Sequence, residues 1–191
     1  MQELKDYSGP LKPDLKLEEF SKDMLLGLLD QYSRAWMLMD GVWHTRTAEK
    51  MNADEAMDGS LAVWFRYAEI ILPRIAELAK IEITDIPSAL KVWQIAPDNV
   101  RQGSRIVEPE YKIISPEHVI LTQTYCCFLE FFERQGDGRE AVVCKVTEEP
   151  AMIKYFQVLG LDVEVTPLKL PPRNSKDEIA CQFDFKLKSR L

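Results

Sequence analysis

From about residue 17 the apolar positions Phe20, Met24, Leu25, Leu28, Tyr32, Trp36, Leu38 and Met39 recur near helical spacing, with no proline through residue 43. That period predicts one long amphipathic helix, with Gly27 or Gly41 as the places where it would break. Asn52 followed three residues later by Glu55 has the spacing of an N-cap with a capping-box partner, and it starts a second predicted helix over 53–80. Met57, Leu61, Trp64, Ala68, Ile71, Ile75 and Leu78 form its expected buried stripe, and Pro73 removes one backbone donor inside it. A shorter helix is predicted over 87–93, with Asp85 as its cap and Pro87 in the tolerated first turn.

After Pro97 the pattern changes. Residues 105–114 and 118–125 are rich in β-branched and aromatic side chains, and Ser115-Pro116-Glu117 between them has turn chemistry, so they read as an antiparallel hairpin. The stretch 128–134 fits a short helix or a continuing strand equally, and Gln135-Gly136-Asp137-Gly138 ends it. Thr147 is expected to cap a helix with Glu148 and Glu149 in its first turn and Gly160 just past its end. A strand over 161–166, a loop over 171–175 and a last strand over 179–187 follow. In that last strand Ile179, Cys181, Phe183, Phe185 and Leu187 share one face, and Ala180, Gln182, Asp184 and Lys186 the other. The expected class is α+β, N-terminal helices followed by a small antiparallel sheet with a packed helix. The chain divides into a flexible arm (1–15), a helical segment (16–100) and an α+β ligand- and metal-binding domain (101–191), the last two expected to form one compact unit.

Bulk properties narrow the classes. With 46% hydrophobic and 29% charged residues, the 191-residue chain is composed like a folded globular protein and not a disordered one. A net charge of -7 and the lack of any dense basic run argue against nucleic acid as a partner. No apolar run approaches the ~20 residues of a bilayer span, which argues against the membrane. The opening residues Met1 to Asp6 lack a signal-peptide pattern, so a cytoplasmic location is expected, with the cysteines as thiols or ligands and not disulfides.

Two constellations carry candidate chemistry. All four cysteines, Cys126, Cys127, Cys144 and Cys181, lie in the last third of the chain. Thiolates suit zinc and iron-sulfur centres, which need three or four donors, but there are no paired C-x-x-C knuckles, so any convergence must come from the fold. Placed at one end of the sheet, Cys127, Cys144 and Cys181 would meet, with Cys126, Glu148, Glu149 or a histidine as a fourth donor. The alternative is that Cys181 is a small apolar residue on a buried strand face. In the first helix Trp36, Asp40, Trp43 and His44 stand at i, i+4, i+7 and i+8 and share one face. A carboxylate among indoles would be partly desolvated and its pKa raised, His44 would carry protons or bind metal, and the tryptophans would wall a planar ligand. The competing reading has both tryptophans as core and Asp40 paired with Arg34 or Arg46. With only His44 and His118, three-histidine zinc sites are excluded, and no G-x-S-x-G, Walker or G-x-G-x-x-G sequence occurs.

The run Trp36-Met37-Leu38-Met39-Asp40-Gly41-Val42-Trp43, then Cys144, Pro171-Pro172-Arg173 and Cys181-Gln182-Phe183, resembles a prokaryotic family of unassigned function. That family is similar, more remotely, to the L-2-amino-thiazoline-4-carboxylic acid hydrolase family and the 4-vinyl-reductase small-molecule-binding domain. The resemblance covers about residues 20–187. It implies helices leading into an α+β ligand-binding domain, a homodimer, and cysteines holding a metal near the ligand pocket. Leu170 stands where the resemblance leads one to expect a further cysteine in some relatives. With the resemblance included, zinc is favoured over an iron-sulfur centre, because three thiolates and one other donor make a normal zinc set. The expected function is a cytoplasmic zinc protein that binds a small, planar organic ligand through Trp36, Asp40, Trp43 and His44. One alternative is a metal-assisted hydrolase of a cyclic amide-like molecule, with Asp40 or Glu149 handling protons. Another is an interaction or regulatory domain with unligated thiols.

Overall fold

A computed structural model describes residues 3–97 and 106–191. Four N-terminal elements precede the sheet: a 3-10 turn Leu17–Glu19, then α1 (Lys22–Lys50), α2 (Ala53–Leu78) and α3 (Ile86–Ile95). They lead into β1 (Val107–Ser115) and β2 (His118–Cys126), then α4 (Cys127–Gln135), α5 (Glu140–Val158), β3 (Leu161–Lys169) and β4 (Cys181–Arg190). The sheet is antiparallel throughout, in the order β1-β2-β4-β3, and the architecture is the expected α+β one. The predicted start of β1 at Arg105 lies outside the described residues.

The caps explain most helix boundaries. Ser21 accepts the Met24 amide at 3.3 Å, so α1 begins at Lys22, five residues later than its apolar period suggests. It then runs unbroken through Gly27 and Gly41 to Lys50. Asn52 accepts from the amides of Asp54 and Glu55, as its position predicts. At α3, Asp85 accepts the Ser88 amide at 2.8 Å while Ser88 Oγ accepts the Asp85 amide at 3.0 Å. Asp85→Ala is therefore expected to lower stability by about 1 kcal/mol, measured by urea unfolding.

The start of α5 corrects the sequence reading. The helix begins two turns before Thr147, whose hydroxyl donates to the Val143 carbonyl at 2.7 Å in mid-helix and caps nothing. A mid-helix threonine that bonds backward has the same local sequence as a cap, and Pro150 at the expected first turn strengthens the likeness. Glu148 and Glu149 are thus interior residues of α5. At its far end Gly160 has φ 81°, the left-handed conformation expected just past a helix.

One face of the sheet carries the core. Val119, Leu121 and Gln123 of β2 are paired with Phe185, Phe183 and Cys181 of β4, and all six are buried. Phe156 of α5 and Trp93 of α3 close over them, with ring centroids 5.1 and 6.0 Å from Phe185. The alternation in β4 begins at Cys181, so Ala180 is buried against expectation and its amide donates to the Gln123 carbonyl at 2.8 Å. On the outer face Gln182 bonds Thr122 at 2.8 Å, and His118 meets Asp184 at 2.5 Å. Both edge strands carry a proline next to a register shift, Pro109 in β1 and Pro167 in β3, as edges that avoid further pairing do.

α5 lies on β3, α2 lies on α5, and α1 packs chiefly on α2, farthest from the sheet. The stripe of α2 follows this order: Met57 and Ala68 are buried and Trp64 half-buried. Leu78 at its end is exposed, and Leu72, one residue off the expected stripe, takes the inner position. Leu4 exchanges backbone bonds with Glu19 and Ser21, and Tyr7 sits edge-on against the buried Phe20.

Candidate functional site

The sequence signals converge on a cavity of about 400 Å³ between α1, α2, α4, α5 and the end of the sheet where β2 stops and β4 starts. That volume falls within the range of small-molecule sites. All four cysteines line it, together with Asp40, His44 and Glu148. Its remaining wall is largely apolar, with the rings of Trp64, Trp93, Phe128, Phe132 and Tyr155 set among aliphatic and methionine side chains.

The topology explains why distant thiols meet. Cys126 ends β2 and Cys127 opens α4, Cys181 begins β4 at the level of Gln123, and Cys144 lies on the second turn of α5. All four are free, with Cys144 and Cys181 buried and Cys126 and Cys127 partly so. Burial, then the charge of Glu148, then Cys126 and Cys144 push the Cys181 thiol up. Burial and Glu148 also push up Cys126, with smaller additions from Cys144 and Cys127. Cys144 reaches about 12 through burial, Glu148 and Glu140, and Cys127 about 11 chiefly through burial. Glu148 thus raises all four thiols, and Cys144 acts on both Cys126 and Cys181. Cys126 and Cys127, adjacent at the change from strand to helix, both line the cavity. Among the described residues no three His, Cys, Asp or Glu side chains are arranged to hold a metal ion.

These thiols are neutral at physiological pH and poor nucleophiles. Cys127, two pH units above the ordinary value of 9.0, is expected to alkylate roughly a hundred-fold more slowly than an unperturbed thiol at pH 8. Iodoacetamide labelling followed by mass spectrometry of native and urea-unfolded protein measures the difference.

The α1 residues divide. Asp40 and His44 face the cavity, Trp36 and Trp43 do not line it. Trp36 packs edge-on against Trp64 with centroids 4.8 Å apart, one ring behind the wall, and Trp43 is 71% exposed. The four positions span about 100° of helix at 3.6 residues per turn, wide enough for one edge to face the cavity and the other solvent. Asp40 is not paired with either arginine suggested by spacing: Arg34 bonds Asp30 and Arg46 bonds Glu49, each at 2.8 Å. Burial raises the Asp40 pKa, partly offset by His44. Burial lowers that of His44, whose Nδ1 lies 3.0 Å from Ser60 Oγ.

A carboxyl whose folded pKa is raised stabilises the fold at low pH, and that contribution is lost as pH rises through the folded value. Asp40→Asn is therefore expected to raise the Tm at pH 7, with the gain shrinking toward zero near pH 4, as thermal melts across pH will show. Glu149 is not among the lining residues, whereas Glu148 is.

Two residues of the wall were not anticipated. Gln123 is a polar residue on the inward parity of β2, after Val119 and Leu121, and Trp93 closes the core from α3. Among the described residues Gln123 Oε1 and Trp93 Nε1 are buried without hydrogen-bond partners. The parity break at Gln123 was a readable signal, but nothing local marks Trp93.

Fold and site together define an α+β domain with a thiol-lined, largely apolar cavity. The chain belongs to a family of unknown function, DUF6125, whose model matches residues 18–187. No curated protein matches it. Among the described residues no helix is long and apolar enough to cross a membrane.

Proposed function

We propose that the chain is a cytoplasmic binding protein for a small, planar organic molecule held in this cavity. The observation that carries the reading is the cavity itself, about 400 Å³ and apolar with several aromatic rings in its wall, and a few polar groups at defined places. A ligand offering both an acceptor and a donor, as a cyclic amide does, matches the unpartnered Trp93 Nε1–H and Gln123 Oε1. Four free thiols suit a reducing compartment.

Zinc beside that ligand is the accompanying proposal, supported by the chemistry of Cys126, Cys144, Cys181 and Glu148, three soft donors and a carboxylate that line the same cavity. The neutral thiols would exchange their protons for the ion, so side-chain rotation into a common centre is part of the proposal. A hydrolytic activity on a cyclic amide is the second reading. It is favoured by Asp40 and His44, whose pKa values burial moves toward one another at the cavity wall.

Metal analysis of untagged protein, prepared with and without oxygen, tests the zinc proposal, and less than about 0.2 equivalents of zinc or iron would remove it. Thermal shift with a panel of aromatic lactams and matched hydrocarbons tests the ligand proposal. Stabilisation by the lactams that is lost in Gln123→Leu is expected, and no stabilisation by any member would sink it. Retention of turnover in Asp40→Asn would remove the hydrolase reading.

A further inference from the structure

The first helix leaves an apolar stripe uncovered. Ser33 is the one buried residue of α1, although the helix has 29 residues. Meanwhile Leu29, Tyr32, Met39, Val42 and Trp43 are half or more exposed, Met39 at 67% and Trp43 at 71%. On a heptad frame Leu29, Trp36 and Trp43 occupy a, Tyr32 and Met39 occupy d, and Val42 occupies g, one stripe about 100° wide. Ser33, Asp40 and His44 fall on the b and e positions, which face α2 and the cavity. An apolar a, d and g stripe belongs to a helix buried in a bundle, and within one protomer Trp36 packs on Trp64 and Tyr67 of α2 while Leu29, Tyr32, Met39, Val42 and Trp43 stay exposed.

With side chains of about 150–250 Å², the exposed members of the stripe present roughly 600 Å² of apolar surface. That is the upper limit of the largest patch on ordinary monomers, and it approaches the ~800 Å² per partner of a stable interface once rim residues are added.

We propose that this stripe is a self-association surface: α1 packs on α1 of a second copy about a two-fold axis, forming a four-helix layer with the two α2 helices. The occupant is argued from spacing and charge. Apolar positions alternating by three and four over residues 29–43 suit a facing helix with the same repeat. A membrane-surface helix would carry Lys and Arg along its polar face. In α1 both arginines are matched by acids, Arg34 by Asp30 and Arg46 by Glu49. A two-fold contact also lets the same patch serve both partners. Because the adjoining face of α1 supplies Asp40 and His44, association would fix the helix that carries part of the cavity wall. The inference stands whether or not the cavity holds a ligand.

Sedimentation velocity on the full chain at about 50 µM is expected to give twice the protomer mass of 22.0 kDa. Met39→Glu/Trp43→Glu should return it to one protomer mass with its helical circular dichroism unchanged, since both side chains are solvent-facing within the protomer. Ile113→Glu/Ile114→Glu, on the exposed residues of edge strand β1, should leave the dimer intact. A monomeric wild-type chain, a dimer that survives the α1 substitutions, or one that is lost with the β1 substitutions would each overturn the proposal. Hydrogen exchange of the wild type supplies a check that needs no variant. Amides over 29–43 should exchange at least tenfold more slowly at about 100 µM than at about 1 µM, and equal rates would overturn it as well.

Discussion

Phe185→Ala is expected to cost about 4 kcal/mol and to lower the Tm by roughly 8–16 °C. The side chain is fully buried in β4, between Val119 of β2 and Val165 of β3 in the register. Its ring lies against three others, with centroids 5.1 Å from Phe156, 6.0 Å from Trp93 and 6.4 Å from Phe183. Removing it leaves a hole bounded by helices on one side and a hydrogen-bonded sheet on the other, so little collapse is available to reduce the cost. Phe185→Leu should recover more than half of the loss, because volume is largely restored. The effect should reach the cavity too. Trp93, which loses a contact edge-on to its ring, forms part of the wall, so any lactam stabilisation should fall along with the Tm. A loss below about 1 kcal/mol in a denaturant melt would mean that the ring cluster does not carry the core.

The parts of this fold visible in the sequence were those governed by local periodicity and local caps. In β4, Cys181, Phe183 and Phe185 are buried and Lys186 exposed, as strict alternation requires. Asn52 and Asp85 cap because an acceptor side chain at that spacing reaches free amides whatever the tertiary context. Thr147 had the same credentials and failed, since a helix starting earlier gives its hydroxyl a carbonyl one turn back. Capping residues report that a turn is possible near them, while the length of the helix depends on whether residues 140–146 also find a neighbour. Here Val143 and Cys144 do, and they are buried.

Site legibility followed the same division. Convergence of the cysteines at one sheet end was deducible, because a hairpin and a returning antiparallel strand bring the end of β2 beside the start of β4. How the Cys126-Cys127 pair divides between strand and helix was not, because 128–134 suited either. The Asp40 environment was foreseen for the right reason, partial burial, with different walls. The indoles beside the cavity are Trp64 of α2 and Trp93 of α3, in place of Trp36 or Trp43 of α1. A helical face predicted from one chain segment says which residues share a side. It does not say which edge of that side meets the neighbouring helix.

Arg173→Ala should cost about 3 kcal/mol, the second large effect expected. The guanidinium is only 3% exposed although it lies in the connection between β3 and β4. Its Nε and Nη2 form a fork on Glu133 at 2.7 and 2.8 Å, Nη2 also donates to Glu130, and Nη1 reaches the Lys176 carbonyl at 3.3 Å. Alanine would leave two neighbouring carboxylates of α4 facing each other with Lys176 as the remaining cation on Glu130. Lysine should restore less than half, because one ammonium cannot reproduce a planar fork that serves both acids. The pH dependence has a definite sign. The Arg173 hydrogen bond holds the Glu130 carboxyl below the usual range, so its contribution is present above the unfolded value and lost as pH falls through the folded one. The gap between wild type and Arg173→Ala, measured by urea unfolding, should therefore be full at pH 7 and narrow below about pH 4. A gap independent of pH would assign the loss to packing alone. The clamp also has a functional reach. It fastens the segment containing Pro171 to α4, which carries Phe128 and Phe132, and all three line the cavity. Loosening it should weaken ligand stabilisation more than an equally destabilising change on the outer face of the sheet.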